Sequence, residues 1–277
     1  MVCLKFLSQK KRLYEATSIK KHFSIKLKIL KCFLIPLPTE IKNFCNFNSY
    51  EYEVKGSSLL FFCIRKNMKS SKQIENRWNK LADKKTVEKT IGALKKSGID
   101  ACFVKTASES KKKILEIIPE GSEVMTMSSV TLDASGISSE INDSKRFNAI
   151  RDRLYSMDRN KQKIEMNRLG ASHEYVIGSV HAVTEDGKVL IASNSGSQLP
   201  AYAYGAGKVI WIVGTQKIVK NIDGALKRIY EYTFPLEDAR AKKAYGMNSN
   251  VSKILIVNKE IQPGRIILIF VDEVLGF

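Results

Sequence analysis

From residue 71 to the end of the chain, apolar runs of three to six residues alternate with longer segments whose apolar residues recur every three or four positions. Short runs without polar alternation are strands covered on both faces, and the amphipathic segments between them are the helices that do the covering. That alternation restricts the chain to an α/β fold with a largely parallel sheet flanked by helices. Ile74, Trp78 and Leu81, then Val87, Ile91 and Leu94, have the i, i+4, i+7 spacing of two amphipathic helices that run up to a stop at Gly98. Residues 101–104 read as a buried strand. Thr106 and Glu109 have capping-box spacing ahead of a helix that uses Ile114, Leu115 and Ile118 and ends at Pro119 and Gly121. Residues 124–126 form the next strand.

Further along, 175–180 is a strand, Asp186-Gly187 a tight turn and 189–192 its partner, because glycine accepts the positive φ such a turn needs. The run 209–213 is another buried strand, followed by a helix on Ile222, Leu226 and Ile229 and a shorter one over 236–245 stopped by Gly246. Two closing strands, 254–257 and 266–271, are joined by a Gln262-Pro263-Gly264 turn. No internal repeat or long linker interrupts this order, so residues 68–277 read as one domain.

Residues 1–67 differ in character. They hold 13 Lys and Arg against 4 Asp and Glu, half of the chain's net charge of +18 in a quarter of its length. They show no sustained helical or strand period, and their apolar stretches, 29–37 and 59–64, fall far short of the roughly 20 residues of a spanning helix. The leading expectation is a basic extension, poorly ordered or a wrongly assigned start, with the functional product beginning near Met68. The alternatives are a targeting presequence and a nucleic-acid-binding arm. The chain's 35 Lys against 11 Arg fit a Lys-biased proteome as readily as a binding patch. With no aromatic-interleaved basic motif and no groove-reading helix, the pattern argues against nucleic acid as a partner. Cys3, Cys32, Cys45, Cys63 and Cys102 include no C-x-x-C pair, and His22, His173 and His181 are scattered, so no metal or cluster is expected in this chain. Without a regular cysteine framework or a clear secretory signal, the default compartment is a reducing cytoplasm.

The segment 178–200, GSVHAVTEDGKVLIASNSGSQLP, places small and polar residues between apolar runs where packing alone does not require them. Ser193, Asn194, Ser195, Gly196, Ser197 and Gln198 form a loop before Pro200, which suits a first helical turn. Backbone amides in such a loop, with the positive end of the next helix, suit a small anionic ligand. Ser128, Ser129 and Thr131 lie where an earlier strand passes into a helix, and ligands of open α/β sheets gather beyond the carboxyl ends of strands. Convergence of the two loops would make one pocket. For Ser128 and Ser129 the plainer reading is a helix N-cap. For Asp186 it is turn chemistry, and for Arg151, Arg153, Arg159 and Arg168 it is solvated faces or surface pairs. His181 reads as a hydrogen-bonded structural residue. Glu185 is a candidate nucleophile or base, set against an ordinary exposed turn glutamate.

The runs IPEGSEVMTMSSVTLDASGI (118–137), GSVHAVTEDGKVLIASNSGSQLPAYAYGAGKVIWIVGTQKIV (178–219), PLEDARAKKAYG (235–246) and the ending FVDEVLGF together resemble the LUD-domain family, the lactate utilization proteins, over nearly all of residues 68–277. The resemblance implies a fold related to ribose-5-phosphate isomerase, glucosamine-6-phosphate deaminase and the CoA transferases. It also implies a place in or beside the oxidation of a 2-hydroxy acid such as lactate, with iron–sulfur oxidoreductase subunits as partners. With no cysteine after Cys102, no cofactor is expected in this chain, and electron transfer would belong to a partner. CoA transferases of that fold use a glutamate in a Glu-x-Gly setting, which Glu185-Asp186-Gly187 resembles locally. The other function class is an independent enzyme, an isomerase, transferase or ligase-like protein acting on a phosphorylated sugar, a folate or a CoA ester.

Overall fold

The computed structural model describes residues 49–54, 57–62 and 77–277, and the chain divides into two compact units, Met1–Met68 and Lys69–Phe277. In the first unit β1 (Ser49–Val54) pairs antiparallel with β2 (Ser57–Phe62), where the sequence offered no strand period. The other expectations for residues 1–67 lie outside the described residues, as does Ile74.

The second unit is built on a six-stranded sheet whose strands all run parallel. Its order is β3 (Asp100–Val104), β12 (Ile266–Val271), β9 (Lys208–Gly214), β6 (Tyr175–Gly178), β4 (Glu123–Thr126) and β5 (Asn148–Ala149). The central strands show why the alternation is so legible. Val209, Trp211 and Val213 of β9 enter one apolar cluster while Ile210 and Ile212 enter the other, and Leu268 and Phe270 of β12 are divided in the same way from Ile269 and Val271. All nine are fully buried. With a side-chain period of two and both faces covered, such strands have no polar position.

Helices cover the two faces. On one, α1 (Lys84–Lys96) brings Val87 and Leu94 to the cluster that holds Trp211. Its N-terminus is capped by Asp83, which accepts the Thr86 N–H at 2.9 Å. On the other, α2 (Ala107–Ile117) brings Ile114, and α3 (Val130–Ala134) and α4 (Ile137–Asp143) bring Leu132, Ile137 and Ile141. The capping box ahead of α2 is half formed. Thr106 accepts the Glu109 N–H at 3.1 Å, but the Glu109 carboxylate takes the N–H of Lys105 at 2.8 Å rather than that of Thr106. Helices α5 (Ile150–Ser156) and α6 (Lys163–Ala171) lead into β6.

A second, four-stranded sheet follows the order β10 (Ile218–Val219), β7 (Ala182–Thr184), β8 (Val189–Ser193) and β11 (Lys253–Val257). Here the chain departs from two expectations. The partner of β8 is β7, not the run that begins at Tyr175, because the chain leaves the large sheet at Gly178 and enters the small one at Ala182. The closing strands β11 and β12 also belong to different sheets, since β11 pairs antiparallel with β8 while β12 lies between β3 and β9. The crossing between them is held by a buried pair, Arg265 to Glu260 at 2.7 Å. Arg265 also donates to the Tyr202 carbonyl at 2.8 Å. Helix α7 (Ile222–Arg228), a π-helical turn (Ile229–Thr233) and α8 (Phe234–Tyr245) run on continuously, with Ala225 and Ile229 packed against Ala182 and Leu190 of the small sheet.

Gly178 sits where the chain leaves the large sheet, and a Cβ there would lie 1.7 Å from the Tyr202 hydroxyl and 2.8 Å from its ring. Tyr202 is buried and packs edge-on against Trp211, so it has little room to retreat. Gly178→Ala is therefore expected to lower stability by about 1–3 kcal/mol in urea unfolding, and adding Tyr202→Phe should recover part of that loss. An unchanged midpoint for the single variant would contradict this packing.

Candidate functional site

Three neighbouring strands of the parallel sheet, β4, β6 and β9, end at one edge and deliver their next residues to one place. After β4 come Ser128, Ser129 and Thr131, and after β6 comes Ser179. After β9 a 3-10 turn, Thr215–Lys217, brings Lys217. Together with the end of β8 and the Ile229–Thr233 turn they line a cleft of about 370 Å³ beyond the carboxyl ends of the strands. This is where ligands sit in open α/β sheets.

The floor of the cleft is a buried lysine amine. Lys217 is 2% exposed, and its Nζ donates to Thr131 Oγ1 at 2.9 Å and to Ser179 Oγ at 3.1 Å. Thr131 Oγ1 in turn donates to the Leu275 carbonyl at 3.1 Å, so its lone pairs face the lysine. No carboxylate lies within ion-pair distance of Lys217 among the described residues. Burial, and behind it the charge of Arg228, holds its amine well below the usual lysine range. Arg228, fully buried at the end of α7, donates from Nη1 to the His181 carbonyl at 2.6 Å and to Thr233 Oγ1 at 3.1 Å, while its Nε and Nη2 find no partner among the described residues. Burial lowers its pKa to about 10.

His181 lines the cleft between these cations. Its Nδ1 accepts the Ala192 N–H at 3.0 Å, which requires a neutral ring with the proton on Nε2. Burial first, then the charges of Lys217 and Arg228, push its pKa down to about 3. The structural reading of His181 describes that hydrogen bond, and the ring also faces the cleft.

At the rim, Arg151 donates to Ser128 Oγ at 3.1 Å and to the Thr126 carbonyl at 3.2 Å, with its guanidinium 5.2 Å from the Tyr155 ring. The expectation of a solvated face or surface pair therefore gives way to a cleft residue. Arg240, also lining the cleft, is held bidentately by Glu237 at 2.7 Å through each oxygen. Its charge is already compensated.

Of the residues singled out in the sequence, the structure brings Ser128, Ser129, Thr131, Asn194, Ser195, Ser197 and Gln198 to this one cleft, with Gly196 in the same loop. Neither serine at the start of α3 caps the helix through its side chain. The 193–198 loop, however, spends many of its donors internally. The Gly196 N–H goes to Ser193 Oγ at 2.9 Å, the Ser197 N–H to Ser195 Oγ at 3.2 Å, and Asn194 Oδ1 accepts from Ser252 at 3.2 Å. The turns that follow the two loops are five residues each, α3 and the π-helical Ala201–Gly205, too short for a strong macrodipole. Basic groups are supplied instead by Lys217 and Arg151 in the lining and by Arg228, which holds the His181 carbonyl.

Glu185 lies elsewhere. It pairs with Lys89 of α1 at 2.7 Å and does not line the cleft. Asp186 accepts from the Thr184 hydroxyl and the Lys188 ammonium, and Gly187 completes the turn with φ +89° against the backbone of Ala93. Sequence reasoning passed over Lys217, Ser179 and Arg228. The available signal for Lys217 was its position in a polar triplet, Thr215-Gln216-Lys217, between WIV and IV, where a lysine has no solvated face to occupy.

Among the described residues no group of three or more His, Cys, Asp or Glu is placed to hold a metal ion, and no helix is long and apolar enough to cross a membrane. A family model described as LUD domain matches residues 87–271. A solved structure, a DUF162 family protein from Deinococcus radiodurans, is similar at 10% identity over 69% of this chain and 99% of that chain, with a TM-score of 0.44. No curated protein matches the chain.

Two outcomes test the electrostatics. Replacing the desolvated Lys217 by methionine should raise the thermal midpoint while removing the amine from the floor, since burying an amine that has no counterion costs more than burying an apolar side chain of like length. A lowered midpoint by calorimetry would contradict that. Because the folded pKa of His181 lies below that of the unfolded chain, the unfolded state binds the extra proton. Stability should therefore fall as pH drops from about 6.5 toward 3, by up to about 1.4 kcal/mol per pH unit per histidine. His173, lowered by its own burial, adds in the same direction. Asp83, Asp186 and Asp238, whose carboxyls are held low by hydrogen bonds, contribute only near the acid end. His181→Gln should flatten the slope between pH 6.5 and about 4.5 in urea titrations.

Proposed function

The chain belongs to the LUD domain family, and on that premise we propose that it binds a small anionic metabolite in this cleft, as the ligand-binding component of a system that oxidises a 2-hydroxy acid such as lactate. The observation that carries the reading is the buried Lys217 amine, turned to two hydroxyls and to no carboxylate, with the partly unpaired Arg228 behind it. A ligand carboxylate seated there supplies the missing countercharge in a low-dielectric place, where a charge-assisted hydrogen bond is about twice as strong as a neutral one. Ser179 and Ser128 carry hydroxyls able to donate to the remaining carboxylate oxygen, and Thr131, whose own proton goes to the Leu275 carbonyl, can accept from the 2-hydroxyl. In this reading the redox step and its electrons are handled by iron–sulfur oxidoreductase subunits, a partnership supported by the resemblance to lactate utilization proteins.

The second reading, an independent enzyme acting on a phosphorylated sugar, a folate or a CoA ester, is favoured by the same cation and hydroxyl set, which suits a phosphate as well as a carboxylate. One screen separates them. At a hundred times its dissociation constant a ligand adds about 2.7 kcal/mol, roughly 5–10 °C for a domain of this size. L-lactate and glycolate should produce such a shift and ribose 5-phosphate and CoA should not. The response should vanish in Lys217→Met and Thr131→Val and persist in Glu185→Gln, whose side chain is ion-paired outside the cleft. A shift with the phosphate compounds alone would favour the second reading, and no shift with any anion would sink both.

A further inference from the structure

The amine at the floor of the cleft is arranged for more than charge. A neutral lysine carries two N–H bonds and one lone pair. In the unprotonated form, which burial favours, the two hydrogen bonds of Lys217 to Thr131 Oγ1 and Ser179 Oγ use both N–H bonds and leave the lone pair without a partner. Both acceptors are fixed. Thr131 is tied to the Leu275 carbonyl and shut in by Gly276, and Ser179 directly follows β6. The lysine stem rises from a buried turn between β9 and β10, so the amine cannot swing out to water. Burial, and behind it the charge of Arg228, disfavours the protonated form of this amine, and a desolvated lysine beside another cationic group is the setting in which lysine nucleophiles are activated.

We propose that Lys217 is a covalent site, whose amine condenses with the carbonyl carbon of a 2-oxo acid to form an imine while the substrate carboxylate is held by the cations and hydroxyls of the cleft. The proposal rests on the anion-binding reading above and names the substrate class as the oxidised partner of a 2-hydroxy acid. The nitrogen lone pair forms the new C–N bond, the carbonyl π pair moves to oxygen, and that oxygen takes up a proton given up by the nitrogen to give the carbinolamine. Loss of the hydroxyl as water, with a proton released from nitrogen, leaves the C=N bond. One amine and one carbonyl are consumed, one imine and one water are formed, and nothing is oxidised or reduced.

The test uses the full-length chain with pyruvate as probe and cyanoborohydride to fix any imine, read by intact mass and peptide mapping. Reduced adduct should build up at Lys217 more than about tenfold faster than at the exposed lysines, and L-lactate should suppress it by competing for the same carboxylate site. Lys217→Arg should abolish adduct at that position, whereas Glu185→Gln, whose side chain pairs with Lys89 outside the cleft, should leave labelling at Lys217 unchanged. If pyruvate and L-lactate both stabilise the wild-type protein but Lys217 is labelled no faster than other lysines, the imine is overturned and the anion site stands. If neither ligand stabilises the protein and Lys217 is not labelled, both fall. Labelling at Lys217 by glyceraldehyde 3-phosphate and not by pyruvate overturns the 2-oxo acid assignment.

Discussion

Strand β9 is the element on which the rest depends. It is hydrogen-bonded on both edges, to β6 and β12, and apolar on both faces, with Trp211 sunk in one cluster and Ile210 and Ile212 in the other. A strand so enclosed has no freedom to slip, because a shift of one residue would exchange its two faces wholesale. Its end is therefore a fixed point. The turn Thr215–Lys217 leaves that end inside the protein, with Gln216 donating to the Leu275 carbonyl at 3.1 Å and Lys217 reaching Thr131 and Ser179. The position of the lysine amine is thus set by the rigidity of the sheet.

That arrangement carries a cost in stability. Lys217 and Arg228 are both desolvated and lack carboxylate partners among the described residues; Arg228 depresses the protonation of Lys217, and both depress that of His181. Folds tolerate such groups where the surrounding packing over-determines them, and the apolar clusters on either side of β9 supply that packing. The contrast within the same protein is Glu260 with Arg265, a buried pair whose charges satisfy each other and a backbone carbonyl. The latter has no evident use for a ligand. The former is open on one side.

The scaffold was legible in the sequence wherever a segment was buried on both faces or ended by turn chemistry. The strands at 101–104, 124–126, 209–213 and 266–271 stand within a residue or two of their expected limits, and Asp186-Gly187 turns as expected. Strand partnership was less accessible. The run 175–180 reads locally as the hairpin partner of 189–192, and 254–257 and 266–271 read as strands joined by the Gln262-Pro263-Gly264 turn, while the structure sends the members of each pair to different sheets, because pairing is decided by distant segments such as β3 and β11. In the cleft, polar loops rich in serine were conspicuous and converge in space. The charged floor was not, because Lys217 and Arg228 sit in stretches that read as a strand end and an amphipathic helix. What distinguishes them is the absence of solvent, a property of packing that no local pattern records.

The two π-helical turns, Ala201–Gly205 and Ile229–Thr233, both border the cleft, the first through Tyr202 and the second through Ile229 and Thr233. A π turn is an α turn that has absorbed one extra residue. Each residue advances the helix by about 100°, so removing one from either turn would rotate a different side chain toward the cleft. The cleft thus has two places at which loss of a single codon exchanges a wall residue, a change that ordinary substitution does not provide.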